Sequence, residues 1–358
     1  MARRGRDGIV VLGGYGAVGR VACEILGSRF PGRVFAAGRD PGQAEAFSRE
    51  TGGRVLPLGL DLADPREADR ALDRARIAVA CAGRDDIGFA RACLERGVHY
   101  VDVSASHAFL KEAERLATVA EERGAAAVLS VGLAPGLTNL LARLCKDTLG
   151  TVRTIDIYVL IGMGEAHGEA AVRWTVENLD KRFTAPGAGG PREVGSLEDP
   201  KATIFPAGYG RRTAYRFDFP DQHVVSRTLG VEDVATRLCF DPAPLTRVLA
   251  LLKRAGALRV LRNRAVREAT IHLLTRVRSG SDGFAIKAEA RGPDGRSFAC
   301  SVGGKGEARA TGVVAALAAE SLYAPPTPPR PGVLHIEQFF EPVRFLGRVA
   351  DHDLAVAF

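Results

Sequence analysis

The sequence predicts an α/β protein of two domains, a doubly wound parallel sheet plus an α+β domain with a mixed or antiparallel sheet. Three observations predict it. Strand and helix patterns alternate regularly from Ile9 to about Val131, as parallel βαβ units require. Past about Gly150 that rhythm breaks into longer strand patterns and a hairpin signal. At 358 residues the chain is also too long for one ordinary core.

The first element is the apolar run Ile9 to Leu12, a buried strand. Gly14-Tyr15-Gly16-Ala17-Val18-Gly19 follows as G-x-G-x-x-G, and Val18, Val21, Ala22, Ile25 and Leu26 then recur at helical spacing. Each glycine has a physical task there. The first allows a tight turn, the second lets backbone approach a diphosphate, and the third lets the helix pack closely on its strand. Between a strand and an amphipathic helix, this pattern reads as a dinucleotide site of the Rossmann kind, with the helix N-terminus facing the phosphates.

Arg33 to Ala37, Val55 to Leu60, Ile77 to Ala82, His99 to Val103 and Ala126 to Val131 are further strands. Helices are expected over 43–51, 65–75 (Asp64 as cap before Pro65), 87–96 and, as one long element, 107–123. In the second domain Thr151 to Ile161 reads as a strand, the Gly- and Pro-rich 184–212 as loop, and 213–219 and 235–240 as strands. Two Arg-rich helices across 244–276 precede a hairpin, 284–290 with 297–302, turning at Gly292-Pro293-Asp294-Gly295. Gly303 to Gly306 reads as a turn introducing an Ala-rich helix, 309–322.

Composition narrows the function. Hydrophobic content of 46% with 25% charged residues describes a globular protein, and no apolar run approaches the roughly 18 residues of a membrane span. The basic N-terminus lacks an apolar segment long enough for a signal peptide, so a cytoplasmic protein is expected. The six cysteines show no C-x-x-C pairing and the histidines no H-x-x-x-H, which argues for reduced thiols and no metal site. The formal charge of +7 is spread along the chain without interleaved aromatics, so nucleic acid is not the expected partner. No G-x-S-x-G elbow or phosphate-loop Lys-Ser/Thr supports a hydrolase or an NTPase.

Within the first domain the end of the second strand chooses the nicotinamide cofactor. An acidic residue there holds the ribose 2′-hydroxyl of NAD. Gly38 occupies that place, and Arg39 is positioned to pair with a 2′-phosphate, so NADP is expected over NAD. In the alternative, Arg39 is solvated and Asp40 takes the 2′-hydroxyl. Asp61 either sits near adenine or caps the next helix. Ligands of open α/β sheets lie at the carboxyl ends of the strands, here in the loops Cys81 to Arg84 (with Ala82 and Gly83), Asp102 to His107 (with Ser104) and Gly132 to Asn139 (with Pro135 and Gly136). His107 is the titrating candidate for a proton transfer, unless Ser106 or His107 only begins a helix. Thr138 and Asn139 either contact nicotinamide or open the next helix. In the second domain, Glu165 and His167 on a Gly-rich loop, with Arg173 and Trp174 beyond it, are the substrate-binding candidates; a core or interface place for Trp174 is the alternative.

Several segments together resemble the saccharopine dehydrogenase family. They are GGYGAVGR (13–20), AGRD (37–40), LDLAD (60–64), ACAGR (80–84), HYVDVSA (99–105), VLSVGLAPGLTNLLA (128–142), ATGVVAALAAESL (310–322) and PGVLHIEQF (331–339). The resemblance is to the branch holding saccharopine reductase, lysine 6-dehydrogenase and carboxynorspermidine dehydrogenase, and it thins across 160–300. It implies hydride exchange between a nicotinamide and an imine carbon, on a small amino-acid- or amine-derived substrate. It also implies a homodimer and a C-terminal helix that returns to the first domain, giving 1–145 with 305–358 as one domain and 146–304 as the other. Two departures stand out. Ala134 replaces the Asp that saccharopine reductases carry before Pro-Gly, and Gly83-Arg84 replaces their Gly-Pro. The first speaks against saccharopine formation itself. The second adds a cation, Arg84, either to bind a substrate carboxylate or to stand solvated. A carbonyl reductase on the same scaffold and a non-catalytic NADP(H) sensor are the rival readings.

Overall fold

The structure is a computed structural model that describes residues 6–82, 86–164, 168–206, 208–276, 279–325 and 327–358. In chain order, β1 (Gly8–Leu12), α1 (Ala17–Arg29), β2 (Val34–Gly38), α2 (Pro41–Glu50), β3 (Val55–Gly59), α3 (Pro65–Leu72) and β4 (Ala75–Ala80) form the opening alternation. It continues through α4 (Gly88–Glu95), β5 (His99–Asp102), α5 (His107–Glu114), α6 (Ala117–Glu122) and β6 (Ala126–Leu129). Next come α7 (Thr138–Leu149), β7 (Thr154–Met163), α8 (Glu169–Asn178), β8 (Arg182–Ala185), β9 (Arg192–Gly195), β10 (Lys201–Phe205), β11 (Gly210–Arg216), α9 (Pro220–Leu229) and β12 (Asp233–Asp241). Then α10 (Ala243–Arg254), a 3₁₀ turn and α11 (Arg264–Leu274) lead to the hairpin β13 (Ser279–Arg291) and β14 (Ser297–Lys305). The chain ends with α12 (Glu307–Tyr323), β15 (Gly332–His335), α13 (Ile336–Phe339), α14 (Pro342–Ala350) and β16 (Ala355–Ala357). By its contacts the chain divides into two units, Met1–Leu133 with Thr311–Phe339, and Ala134–Ala310 with Phe340–Phe358.

The first unit holds a seven-stranded sheet in the order β15-β6-β5-β4-β1-β2-β3, with every pairing parallel. This is the doubly wound sheet that the alternation predicts. Chain order reverses between β1 and β4, which makes their carboxyl ends the crevice where such sheets bind ligands. Strand interiors are apolar because both faces are covered: Val10, Leu12, Ala78, Ala80, Tyr100 and Ala127 form part of one buried cluster. Helix α12 meets α1 through a glycine. A Cβ on Gly312 would lie 2.7 Å from both Val18 O and Val21 Cβ, so no larger residue fits this contact.

The second unit holds a seven-stranded mixed sheet, β10-β11-β12-β7-β13-β14-β16, in which β12 and β7 run parallel and the other pairs antiparallel. The expected hairpin is β13–β14. Helix α7 packs on these two strands, with Cys145 Sγ 3.6 Å from Cys300 Sγ and no disulfide between them.

Three local expectations are corrected. The single helix over 107–123 is two, α5 and α6, divided at Arg115 and Leu116, where the Arg115 N–H turns back to Glu112 O without a proline or glycine to announce it. The expected loop 184–212 contains most of β8 to β11; its glycines and prolines are concentrated in the connections while four-residue strands pair between them. Gly303 and Gly304 belong to β14 rather than to a turn, and a Cβ on Gly304 would strike Leu354 Cδ2 at 2.5 Å. Among the described residues no helix is long and apolar enough to cross a membrane, and no three His, Cys, Asp or Glu side chains gather to hold a metal.

Candidate dinucleotide site and the polar clusters of the second unit

Strand β1 delivers the chain to Gly13, whose φ of +67° turns it, and the Gly13 and Gly14 N–H groups both donate to Ala37 O at 2.8 and 3.2 Å. The turn is therefore fastened to the end of β2. Backbones approach so closely here that side chains are excluded. A Cβ on Gly14 would lie 2.6 Å from Ala36 Cα, and one on Gly19 would lie 2.1 Å from Gly13 O. No side chain caps α1 at Gly16, so N–H groups of its first turn are left for a ligand. This is a cradle that a Cβ would fill, and it fits a dinucleotide diphosphate.

At the end of β2, the Tyr15 ring lies over Gly38, and its Oη accepts the Asp40 N–H at 2.9 Å. Arg39 is exposed and has no ion pair among the described residues. The Asp40 carboxylate caps α2, accepting Gln43 N–H at 3.1 Å and Gln43 Nε2 at 2.7 Å, and the Gln43 side chain holds its pKa below the ordinary value. Asp61 shapes the turn before α3 by accepting Ala63 N–H at 3.0 Å, while Asp64 is the cap, accepting Arg66 N–H at 2.9 Å.

After β4, the Cys81 N–H donates to Leu12 O at 3.0 Å, and burial, aided by Asp102, pushes its thiol up to about 12. A Cβ on Gly13 would lie 3.0 Å from Ala82 Cβ, so Ala82 borders the glycine turn. Gly83 and Arg84 lie outside the described residues. After β5, buried Asp102 accepts Tyr100 Oη at 2.5 Å and Ser104 N–H at 2.7 Å; burial raises its pKa to about 6 against these two bonds. Ser104 Oγ accepts Ser106 N–H at 3.1 Å, and Ser106 Oγ accepts Phe109 N–H at 3.3 Å, capping α5. His107 is the first residue of that helix, half-buried.

One constellation here has no counterpart in the sequence reading. Ser130 follows β6 with φ +56°, and its Oγ lies 2.8 Å from His335 Nδ1, while His335 Nε2 lies 2.8 Å from Glu114 Oε1. A nucleophilic serine needs substrate at its hydroxyl, yet Ser130 is 0% exposed. The string ties edge strand β15 to β6 and to α5. Its members are 205 and 221 residues apart in sequence, so no spacing signal reveals it.

In the second unit, Pro135 and Gly136 precede α7, and Gly136, at φ +142°, donates its N–H to Asn139 Oδ1 at 3.0 Å. Thr138 opens α7, fully buried, and its hydroxyl binds the buried Asp221 carboxylate. Arg173 makes two bonds to Glu268, at 2.7 and 2.9 Å, and one to Glu169 at 3.0 Å. Trp174 packs against both Phe217 and Phe219, with ring centroids 5.5 and 5.0 Å away. Glu165 and His167 lie outside the described residues. The glycines before them serve packing: a Cβ on Gly162 would lie 2.2 Å from Ser281 O, and Gly164 N–H donates to that oxygen at 2.8 Å.

The sequence reading also missed a charged cavity of about 520 Å³ at the amino ends of β7 and β12, lined by Arg153, Asp156, Asp199, Lys201, Arg237 and Arg291 among others. Within it Arg237 Nη1 reaches Asp156 at 2.5 Å and its Nη2 reaches Asp199 at 2.7 Å. Arg216, opposite Arg237 on β11, is fully buried and donates to Gln222 Oε1 at 2.9 Å; burial, then Arg237, lowers its pKa to about 10.

The site therefore defines a dinucleotide-binding domain. Residues 9–128 match the family described as Saccharopine dehydrogenase NADP binding domain, in line with the resemblance. Among solved structures, apo saccharopine dehydrogenase (L-Glu forming) from Saccharomyces cerevisiae is 14% identical, covers 98% of this chain and 100% of its own, and has a TM-score of 0.66. The two share a fold. A mutant meso-DAPDH from Clostridium tetani E88 with DAP gives 11% identity, 95% and 96% coverage and a TM-score of 0.48. DAP dehydrogenase of C. glutamicum in complex with DAP gives 13%, 98% and 100%, and 0.46. Comparison with curated proteins found no match.

Proposed function

We propose that the protein is an NADP-dependent oxidoreductase acting on a CH–NH bond of a small amino-acid- or amine-derived substrate. The observation that carries the cofactor part is the end of β2. Gly38 offers no carboxylate to a ribose, Asp40 spends its own on capping α2, and Arg39 stands exposed with no counter-ion among the described residues. Such an end favours a 2′-phosphate over a 2′-hydroxyl. The CH–NH chemistry rests on the saccharopine dehydrogenase domain family of residues 9–128 and on the Ala-Pro-Gly-Leu-Thr-Asn segment.

In this reading the nicotinamide, when bound, supplies or accepts the hydride. The protein's own part is to bind and orient. Gly14, Tyr15, Gly16, Ala17, Val18 and Gly19 cradle the diphosphate against the uncapped start of α1, Arg39 anchors the adenosine end, and Asp61 flanks adenine. Cys81, Ala82 and Ser104 border the nicotinamide ribose, and for Gly83, Pro135, Gly136 and Asn139 the family resemblance alone assigns a cofactor role. His107 holds or moves the proton of the substrate nitrogen, and Arg84 receives a substrate carboxylate. Of the substrate candidates Glu165, His167, Arg173 and Trp174, Arg173 is already engaged by two carboxylates and Trp174 by two rings, so Glu165 and His167 carry more of that role. A homodimer belongs to the same reading, through the family resemblance.

The test is NADPH absorbance with pooled 2-oxo acids and aldehydes, with and without pooled amino acids and polyamines. Oxidation that requires the amine pool is expected. Oxidation by carbonyl compounds alone makes the protein a carbonyl reductase, and nucleotide binding without turnover in any pool makes it a sensor. Under the proposal, Arg84→Ala and His107→Ala abolish most turnover and keep nucleotide binding.

A further inference from the structure

We propose that Tyr15, the residue between the first two glycines of the turn, is a determinant of NADP(H) over NAD(H) selection. The inference rests on the reading that the first unit binds this cofactor, and it begins from volume. Position 38 is where an NAD-binding sheet places its carboxylate. Here a Cβ at that position would lie 2.3 Å from Tyr15 Oη, 2.5 Å from Cζ and 2.6 Å from Cε1, distances that real side chains do not show. Tyr15 thus fills the space of the missing side chain and keeps an acid out of it.

Hydrogen bonding gives the ring a second task. Its Oη accepts the Asp40 N–H at 2.9 Å, which fixes the ring against the start of α2. A phenol that accepts one bond still has its proton to donate, and no acceptor for it is found among the described residues. That O–H and the exposed Arg39 guanidinium, which has no ion pair among the described residues, stand at the same strand end, where the Asp40 carboxylate is engaged by Gln43. The strand end is therefore rich in donors and poor in acceptors. A ribose diol seeks a carboxylate to accept its protons, whereas an ionised 2′-phosphate brings acceptor oxygens and charge. Because Tyr15 belongs to the diphosphate turn, one side chain builds the selective end and the phosphate cradle together.

Titrations of NADPH and NADH followed by nucleotide fluorescence, and of 2′,5′-ADP and ADP by calorimetry, test this without turnover. In Tyr15→Phe the ring stays and the donor goes, so affinity for the 2′-phosphorylated ligands falls about tenfold while that for NADH and ADP holds. Gly38→Ala displaces the ring and lowers the same ratio. Gly38→Asp alone weakens both classes, whereas Gly38→Asp with Tyr15→Ala inverts the preference toward NADH. Melting curves of each variant establish that it is folded. A Tyr15→Phe protein that keeps the wild-type NADPH to NADH ratio overturns the inference and leaves the cofactor reading standing. A wild-type protein that prefers NADH, or binds neither nucleotide, overturns both.

Discussion

The two seven-stranded sheets place charge differently. In the first, both faces are covered by helices and fully buried carboxylate is found where a strand ends, as at Asp102 on β5. Arg39 and Asp40, at the end of β2, are left in solvent. In the second, ionised groups sit within the strands: Asp156 on β7 is 7% exposed, Arg237 on β12 4%, and Arg216 on β11 0%. A parallel sheet buried on both sides has no low-energy place for charge except its ends, which become the ligand edge. The mixed sheet instead meets its charges internally, so a buried charge in it is not by itself a site.

The largest expected effect tests that internal pairing. Asp156 accepts Arg237 at 2.5 Å and Lys201 at 2.5 Å, and Asp156→Asn leaves Arg237 buried with a weakened counter-charge. Breaking a buried pair in this way costs about 3–5 kcal/mol. Urea unfolding should show a loss of that order with NADPH affinity unchanged. A loss below about 1 kcal/mol would mean that water or another group already solvates the cluster, and the contrast between the sheets would fail.

Asp102 gives the next effect, at the ligand edge of the first sheet. Its pKa is raised to about 6 in the folded state, chiefly by burial, against about 3.9 in an unfolded chain. Between these values the folded protein keeps a proton that the unfolded chain has lost, so stability falls as pH rises from about 4 to 6. The gap between the two values corresponds to a loss of about 3 kcal/mol, fully felt above about pH 6 and absent below about pH 4. In Asp102→Asn that slope should flatten when melting temperature is followed across the window; an unchanged slope would assign it to other groups.

Much of the first unit is legible in the sequence because its signals are local. The glycine turn, the strand-to-helix alternation and the cap at Asp64 each lie within a few residues of what they explain. The second unit resisted for the opposite reason. Asp156 and Arg237 are 81 residues apart, and Arg173 and Glu268 are 95 apart, so their partners can be found only after folding. Glycine also carries two meanings that composition does not separate. Gly162 and Gly164 suggest a flexible loop, yet their backbones pack against Ser281 too closely for any side chain. At the site itself, the sequence shows Gly38 as an absent carboxylate; that Tyr15 excludes one is visible only in three dimensions.

The smallest effect decides what Asp40 does. As a cap its carboxylate holds two groups of Gln43, and losing such a cap weakens one helix end by an amount that lowers the melting temperature by roughly 2–4 °C in a protein of this size. As a ribose ligand it would instead carry NADH affinity. Asp40→Ala separates the two, because the cap belongs to the protein in either ligand state. A small fall in melting temperature with NADPH affinity retained or improved, as one negative charge leaves the neighbourhood of the 2′-phosphate, is the expected result. A selective loss of NADH affinity with stability unchanged would return the carboxylate to the ribose. The first sheet's exposed edge would then be an NAD site after all, with Arg39 solvated beside it.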